Sequence, residues 1–295
     1  MNNEKPFGWK DKIGYGLGDF GCNMSFAFIN SYMMLFFVTC LGIDPKHYAI
    51  IIMLAKIWDG INDPIIGALC DASKPKGNSK FKPWIQWGCI PLLISSIVMF
   101  IYIPDAPYAA KIALCLITYL IWSVAYTSVN VPYGSMQSVI TRDDLQRTEL
   151  SNARSIGALI AQLPVMVILP LIIYDENNQP KGSIFIYIVA VMGIIGVTAF
   201  LLMCRMTTER IKPTVNKAQK FNYFKTLGSF FTNRPIMVLT ISTISYIALI
   251  MTVTSSMQYI FMYYFKNSNL ISVATVIAGA PMVVAIILVK PLVKK

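Results

Sequence analysis

Eight stretches of this sequence are long and apolar enough to cross a bilayer, near residues 14 to 42, 47 to 69, 84 to 104, 110 to 138, 150 to 174, 183 to 204, 235 to 264 and 270 to 290. A hydrocarbon core about 30 Å thick takes about 20 residues of helix. Within it every backbone N–H and C=O must find a partner in the protein, which leaves only helices or closed barrels. No ten-residue alternating pattern of a membrane barrel is present. The expectation is therefore an all-α polytopic membrane protein, and a composition of 56% hydrophobic and 13% charged residues agrees with it.

The net charge of +11 invites a nucleic-acid reading until the basic residues are placed. With the N-terminus inside and eight crossings, the inner segments hold Lys5, Lys10, Lys12, Lys74, Lys76, Lys80, Lys82, Arg142 and Arg147. They also hold the seven Lys and Arg residues from Arg205 to Arg234, and Lys290, Lys294 and Lys295. The outer loops hold Lys46, Lys111, Lys181 and Lys266 alone, while Lys56 and Arg154 fall inside helices. Short positive loops stay cytoplasmic. The charge is thus a topology signal: a multi-pass protein of the cell (plasma or inner) membrane, N-terminus cytoplasmic, with the lipid bilayer as a partner and no nucleic acid. The polar N-terminus and the long first apolar run argue against a cleaved signal peptide.

The longest polar interval divides the chain into an N-terminal six-helix bundle over 1–206, a cytoplasmic middle loop over 207–234 and the start of a C-terminal bundle over 235–295. An interfacial amphipathic stretch is expected from Phe221 to Phe231. Between the second and third runs, SKPKGNSKFKP reads as a basic, non-helical inner turn. Six cysteines without metal-like spacing are expected as free buried thiols, and His47 as a surface residue of an outer loop. No metalloprotease helix, nucleophile elbow or phosphate-binding loop occurs, so the chain reads as moving something instead of transforming it.

The second run, AKIWDGINDPIIGALCD from Ala55 to Asp71, carries Lys56, Asp59 and Asp63. Each charge costs about 2.5 to 3.5 kcal/mol at a membrane helix centre, more together than the surrounding apolar residues return at about 0.3 to 0.6 kcal/mol each. The spacing i, i+3, i+7, with Asn62 adjacent, puts these heads on one stripe. That stripe must face the protein interior or a water-filled cavity. A Lys56–Asp59 bridge explains one carboxylate. Asp63 and Asn62 remain, and they suit a monovalent cation or a proton.

Other intramembrane polar groups follow. GYGLGDFGCN sets Asp19 and Asn23 on one face of the first helix, with Gly16, Gly18 and Gly21 for close packing. The fourth helix offers Trp122, Tyr126, Thr127, Asn130 and Tyr133, with a kink expected at Pro132. Thr127 alone would read as a core hydroxyl. Arg154, in LSNARSIGALIAQ, either snorkels to the inner surface or serves a buried site.

Taken in order, IWDGINDP, the turn ending in KFKPWI, YTSVNVP and NAR resemble the glycoside-pentoside-hexuronide:cation symporters of the major facilitator superfamily. The resemblance runs from about Gly14 through the eighth helix. It implies two six-helix bundles, of which eight of twelve helices are present here, and symport of a sugar with sodium or a proton by alternating access. No catalysis is implied, and no cofactor beyond the co-transported ion. It places the cation at Asp59, Asn62, Asp63 and Thr127, with Asp59 and Asp63 as the metal ligands if the ion is sodium. The sugar falls to Asp19, Asn23, Tyr126, Asn130 and Arg154. The sugar site departs from melibiose permease, a member of that family: Asn23 and Asn130 stand where it has carboxylates, Cys22 replaces a lysine and Gly134 a tryptophan. The retained Arg154 then needs a counter-charge, from Asp19 or from an acidic sugar such as a glucuronide. A non-transporting membrane sugar sensor, or an inactive truncated transporter, is the alternative.

Overall fold

The computed structural model describes residues 6–77, 79–175, 177–211 and 232–266, with positions 270, 271, 273, 274 and 277 beyond them. Most of the eighth apolar run, and the interfacial stretch expected from Phe221 to Phe231, lie outside the described residues. What is described is helical: α1 (Trp9–Met34), α2 (Pro45–Ala72), α3 (Lys82–Met99), α4 (Tyr108–Ile140), α5 (Asp144–Leu163), α6 (Phe185–Met206) and α7 (Arg234–Tyr259). Only two isolated β-bridges interrupt this pattern, Lys76 with Ser79 and Tyr174 with Pro180. Among the described residues, five helical spans are long and apolar enough to cross a membrane: Trp9–Cys40, Tyr108–Ile140, Asp144–Ile173, Gly182–Met206 and Arg234–Val253. The α2 helix falls short because of its charges, and α3 because its first residues include Lys82, Pro83 and Gln86. The chain is a multi-pass membrane protein.

Three helices lengthen by π-helical turns, α1 through Leu35–Cys40, α5 through Pro164–Ile168 and α7 through Ile260–Tyr264. After its π turn the α5 rod continues as Leu169–Ile173. Pro132 does not end α4, which runs on to Ile140. His47 is exposed as expected, but it stands in the first turn of α2, where Nδ1 meets the Tyr108 hydroxyl at 2.7 Å. All six cysteines are free thiols.

Packing centres on α1, which touches α4, α5, α6 and α7. Its glycines make this possible. A Cβ at Gly157 of α5 would overlap the Gly16 carbonyl oxygen, and one at Gly18 would overlap the Tyr133 ring of α4. Lipid offers no hydrophobic drive for helices to associate, so such close backbone approach supplies the dispersion contact that holds them. On the other side, α4 lies between α2 and α3, and α3 also meets α6. The core between these helices is aromatic: Phe28, Phe36, Phe100 and Phe185 are fully buried, with ring centroids 5.0 to 6.3 Å apart.

At the lysine-rich end a short strap, residues 207–211, ties helices together. Arg210 Nη2 donates to Asp11 Oδ2 at 2.7 Å, Nη1 donates to Asp11 Oδ1 at 3.1 Å, and Asp11 is buried. The backbone N–H groups of Arg210 and Ile211 both donate to the Val139 carbonyl. Glu209 accepts from the N–H groups of Lys80, Phe81 and Lys82 at 2.7, 3.2 and 3.1 Å, meeting the orphan donors at the start of α3. The strap thereby joins α1, α3 and α4.

Because the α1–α5 approach leaves no room for a methyl group, Gly157→Ala is expected to destabilise the bundle by about 1–3 kcal/mol. Thermal unfolding in detergent measures it; an unchanged midpoint would show that the contact relaxes freely.

Candidate functional site

The α2 and α4 helices bring two carboxylates against a row of hydroxyls. Along α4, Tyr119, Ser123 and Thr127 recur every fourth residue and so share one face. Along α2, Asp59 and Asp63 do the same. Ser123 Oγ donates to Asp59 Oδ1 at 2.5 Å and Thr127 Oγ1 donates to Asp63 Oδ1 at 2.7 Å. Both pairs are separated by 64 residues in sequence. A constant offset is the mark of two helices running in the same direction in register.

The two carboxylates are not equivalent. Asp59 Oδ2 accepts from Lys56 Nζ at 3.1 Å and from the Tyr119 hydroxyl at 3.1 Å, and Lys56 Nζ also donates to that hydroxyl at 2.7 Å. Asp59 therefore has a cation and two hydroxyls. Asp63 is exposed and holds the Thr127 hydroxyl alone among the described residues. Asn62 turns inward: it is buried, and its Nδ2 has no hydrogen-bond partner among the described residues. A buried amide left unpaired is costly. Amide nitrogen and oxygen are assigned by fit, so the same position presents an oxygen if the amide is turned.

A second cluster joins α1, α4 and α5. Arg154 donates to Asp19 Oδ1 from Nε at 3.2 Å and from Nη2 at 3.0 Å. Its guanidinium lies 5.1 Å from the Tyr133 ring centroid. Arg154 is thus turned toward α1, and Asp19 supplies its counter-charge. Asn23 Nδ2 donates to the Asp19 carbonyl at 2.9 Å. Asn130 makes no side-chain hydrogen bond with another described residue.

Tyr126 stands between the clusters, within electrostatic reach of Asp63 on one side and of Asp19 and Arg154 on the other. Its ring stacks on Trp122 at 5.1 Å and on Phe26 at 5.3 Å. Trp122 is held in turn by its indole N–H, which donates to Ser25 Oγ at 2.9 Å. The Tyr126 hydroxyl has no partner among the described residues. The aromatic group offers flat apolar faces beside polar groups, the surface a sugar ring needs.

Of the residues singled out in the sequence, Asp59, Asp63 and Thr127 meet across one interface, Asp19, Asn23 and Arg154 form another cluster, and Tyr126 links them. Ser123, Tyr119, Trp122 and Phe26 join these groups as well. Ser123 and Tyr119 were open to discovery, since they lie four and eight residues before Thr127. Phe26 carries no such signal.

A family model described as MFS/sugar transport protein matches residues 14–295. The chain belongs to this family. Together with relatives named as a glycoside/cation symporter, a glucuronide carrier homolog and an isoprimeverose transporter, this places it among the glycoside-pentoside-hexuronide symporters, which are transporters and not enzymes. Among similar proteins are the uncharacterized symporter YjmB of Bacillus subtilis, 29% identical over 92% of this chain and 59% of its own length, and the putative glycoside/cation symporter YagG of Escherichia coli, 32% identical over 68% and 43%. The isoprimeverose transporter of Lactiplantibacillus pentosus is 26% identical over 90% and 55%. The chain spans about half the length of these relatives.

Removing one member of a half-buried ion pair strands the other. Asp19→Asn and Arg154→Gln are each expected to destabilise more than the double variant does, with a coupling of about 0.5–3 kcal/mol in a double-mutant cycle read by thermal unfolding. Additive effects would show that the pair carries no energy.

Proposed function

We propose that the chain acts as, or within, a secondary active transporter that moves a sugar together with a sodium ion or a proton by alternating access. The observation that carries this reading is the inequality of Asp59 and Asp63. Asp59 already has a fixed cation in Lys56. Asp63 has none among the described residues, and a lone carboxylate in a membrane helix is expensive unless a mobile cation or a proton neutralises it. Asp63, Thr127 and the oxygen of Asn62 form the receiving set, and Asp59 with Ser123 fixes the neighbouring helix contact.

Coupling follows from adjacency. Thr127 and Tyr126 are consecutive in α4, so drawing Thr127 toward an ion at Asp63 moves Tyr126 and Trp122 against Phe26 of α1. Symport requires a mutual coupling of about 1 to 3 kcal/mol between ion and sugar, within what a few hydrogen bonds can supply. Relatives named a glycoside/cation symporter and an isoprimeverose transporter support a glycoside as cargo. Because Asp19 meets the charge of Arg154, a neutral glycoside fits better than a hexuronide, which would have to displace it. The lysine and arginine bias supports a cytoplasmic N-terminus in the cell membrane.

Asp63→Cys is expected to reduce cation-driven sugar accumulation in vesicles to background while exchange down the sugar gradient persists. Accumulation at the wild-type level in that variant would refute the assignment. Comparing a glucoside with the matching glucuronide tests the cargo, and faster uptake of the glucuronide would reverse the preference for a neutral sugar.

A further inference from the structure

A groove with a cavity volume of about 950 Å³ runs along the outside of the bundle between α2 and α3, floored by Leu120, Ile121 and Val124 of α4. It lies apart from the carboxylate ladder and shares no residue with it. Three of the five tryptophans of the chain, Trp58, Trp84 and Trp87, line it. One end is basic: Lys74, Lys76 and Lys80 stand there, and the stretch 74–82 has four lysines and no acidic residue.

That end is built. Gly77 adopts φ +61° to close the turn, and Lys76 and Ser79 exchange backbone hydrogen bonds across it. Trp84 Nε1 donates to Ser73 Oγ at 3.0 Å, fastening the end of α2 to α3. Lys80 is buried and its Nζ donates to the Asp71 carbonyl at 2.9 Å, which fixes the turn. Lys74 and Lys76 are exposed and have no ion-pair partner among the described residues. The free charge therefore sits at the mouth of the groove.

Length identifies what could fill it. From Trp58 to Ser73 is a helical run of roughly 22 Å at about 1.5 Å per residue. One leaflet, from the headgroup edge to the bilayer centre, is about 20 to 22 Å. At the Ser73 end Trp84, with an apolar body and a polar N–H, suits the headgroup boundary, and lysines beside an apolar wall attract anionic headgroups. We propose that this groove binds an anionic phospholipid, its headgroup phosphate between Lys74 and Lys76 and an acyl chain laid over Trp87, Trp58 and the α4 floor. The inference is independent of the transport reading, since it uses none of the same residues.

The test uses the full chain in proteoliposomes containing a minor fraction of phospholipid brominated on its acyl chains, a contact quencher of tryptophan fluorescence. Brominated phosphatidylglycerol is expected to quench more strongly than brominated phosphatidylcholine at the same mole fraction. The preference should fall about fivefold for each lysine neutralised in K74Q and K76Q, and W58F and W87F should remove the preferentially quenched signal. Equal quenching of the wild type by both lipids would leave only the ordinary lipid shell and overturn the proposal, as would an undiminished preference in K74Q/K76Q. Insensitivity of Trp58 and Trp87 to either lipid would mean that protein covers the groove, and would overturn it too.

Discussion

A carboxylate placed in a membrane helix must face the protein interior or a water-filled cavity, and the contact between α2 and α4 is built around two of them. Asp59 and Asp63 cannot face acyl chains, so α2 must present them to a neighbour, and α4 meets them with Ser123 and Thr127. That requirement fixes which face of α2 turns inward and which face of α4 receives it. Trp122 and Tyr126, on the adjacent stripe of α4, are thereby aimed toward α1, where Phe26 completes the aromatic stack.

The opposite side of the bundle is held by different means. There α1 packs by the absence of side chains, with Gly16 against Ala153 and Gly157 and with Gly18 beneath Tyr133. The same close approach brings Arg154 within reach of Asp19. A bulkier residue at Gly16 would separate the helices and leave the arginine to find its counter-charge elsewhere. Packing and electrostatics are thus one problem at this interface.

Much of this was legible in the residues. The cost of placing Lys56, Asp59 and Asp63 in lipid, and the spacing that pairs Lys56 with Asp59 while leaving Asp63 over, require only helix geometry. The helix limits follow from hydropathy to within two or three residues at α2, α4 and α6, whereas α1 and α5 begin five and six residues before their apolar runs, through polar first turns, and α3 ends five residues before its run does. The hydroxyl partners of Asp59 were harder to see, because serine and tyrosine are unremarkable in a helix until a carboxylate lies opposite. The strap was invisible: Asp11 and Arg210 are 199 residues apart, and both look like surface charges near helix ends. Its grip depends on buried carbonyls and N–H groups that exist only once α1, α3 and α4 have met. The π turns likewise have no sequence signature of their own.

The carboxylate ladder has two rungs on α2 and three on α4, and this unequal count gives sliding a direction. Shifting α4 by one turn, about 5.4 Å, one way would set Asp59 opposite Tyr119 and Asp63 opposite Ser123, so each acid would still meet an oxygen. The same step the other way would set Asp59 opposite Thr127 and Asp63 opposite Val131, stranding one acid against a hydrocarbon. The pairing of acids with hydroxyls is therefore tolerant of an offset in one direction and intolerant of it in the other.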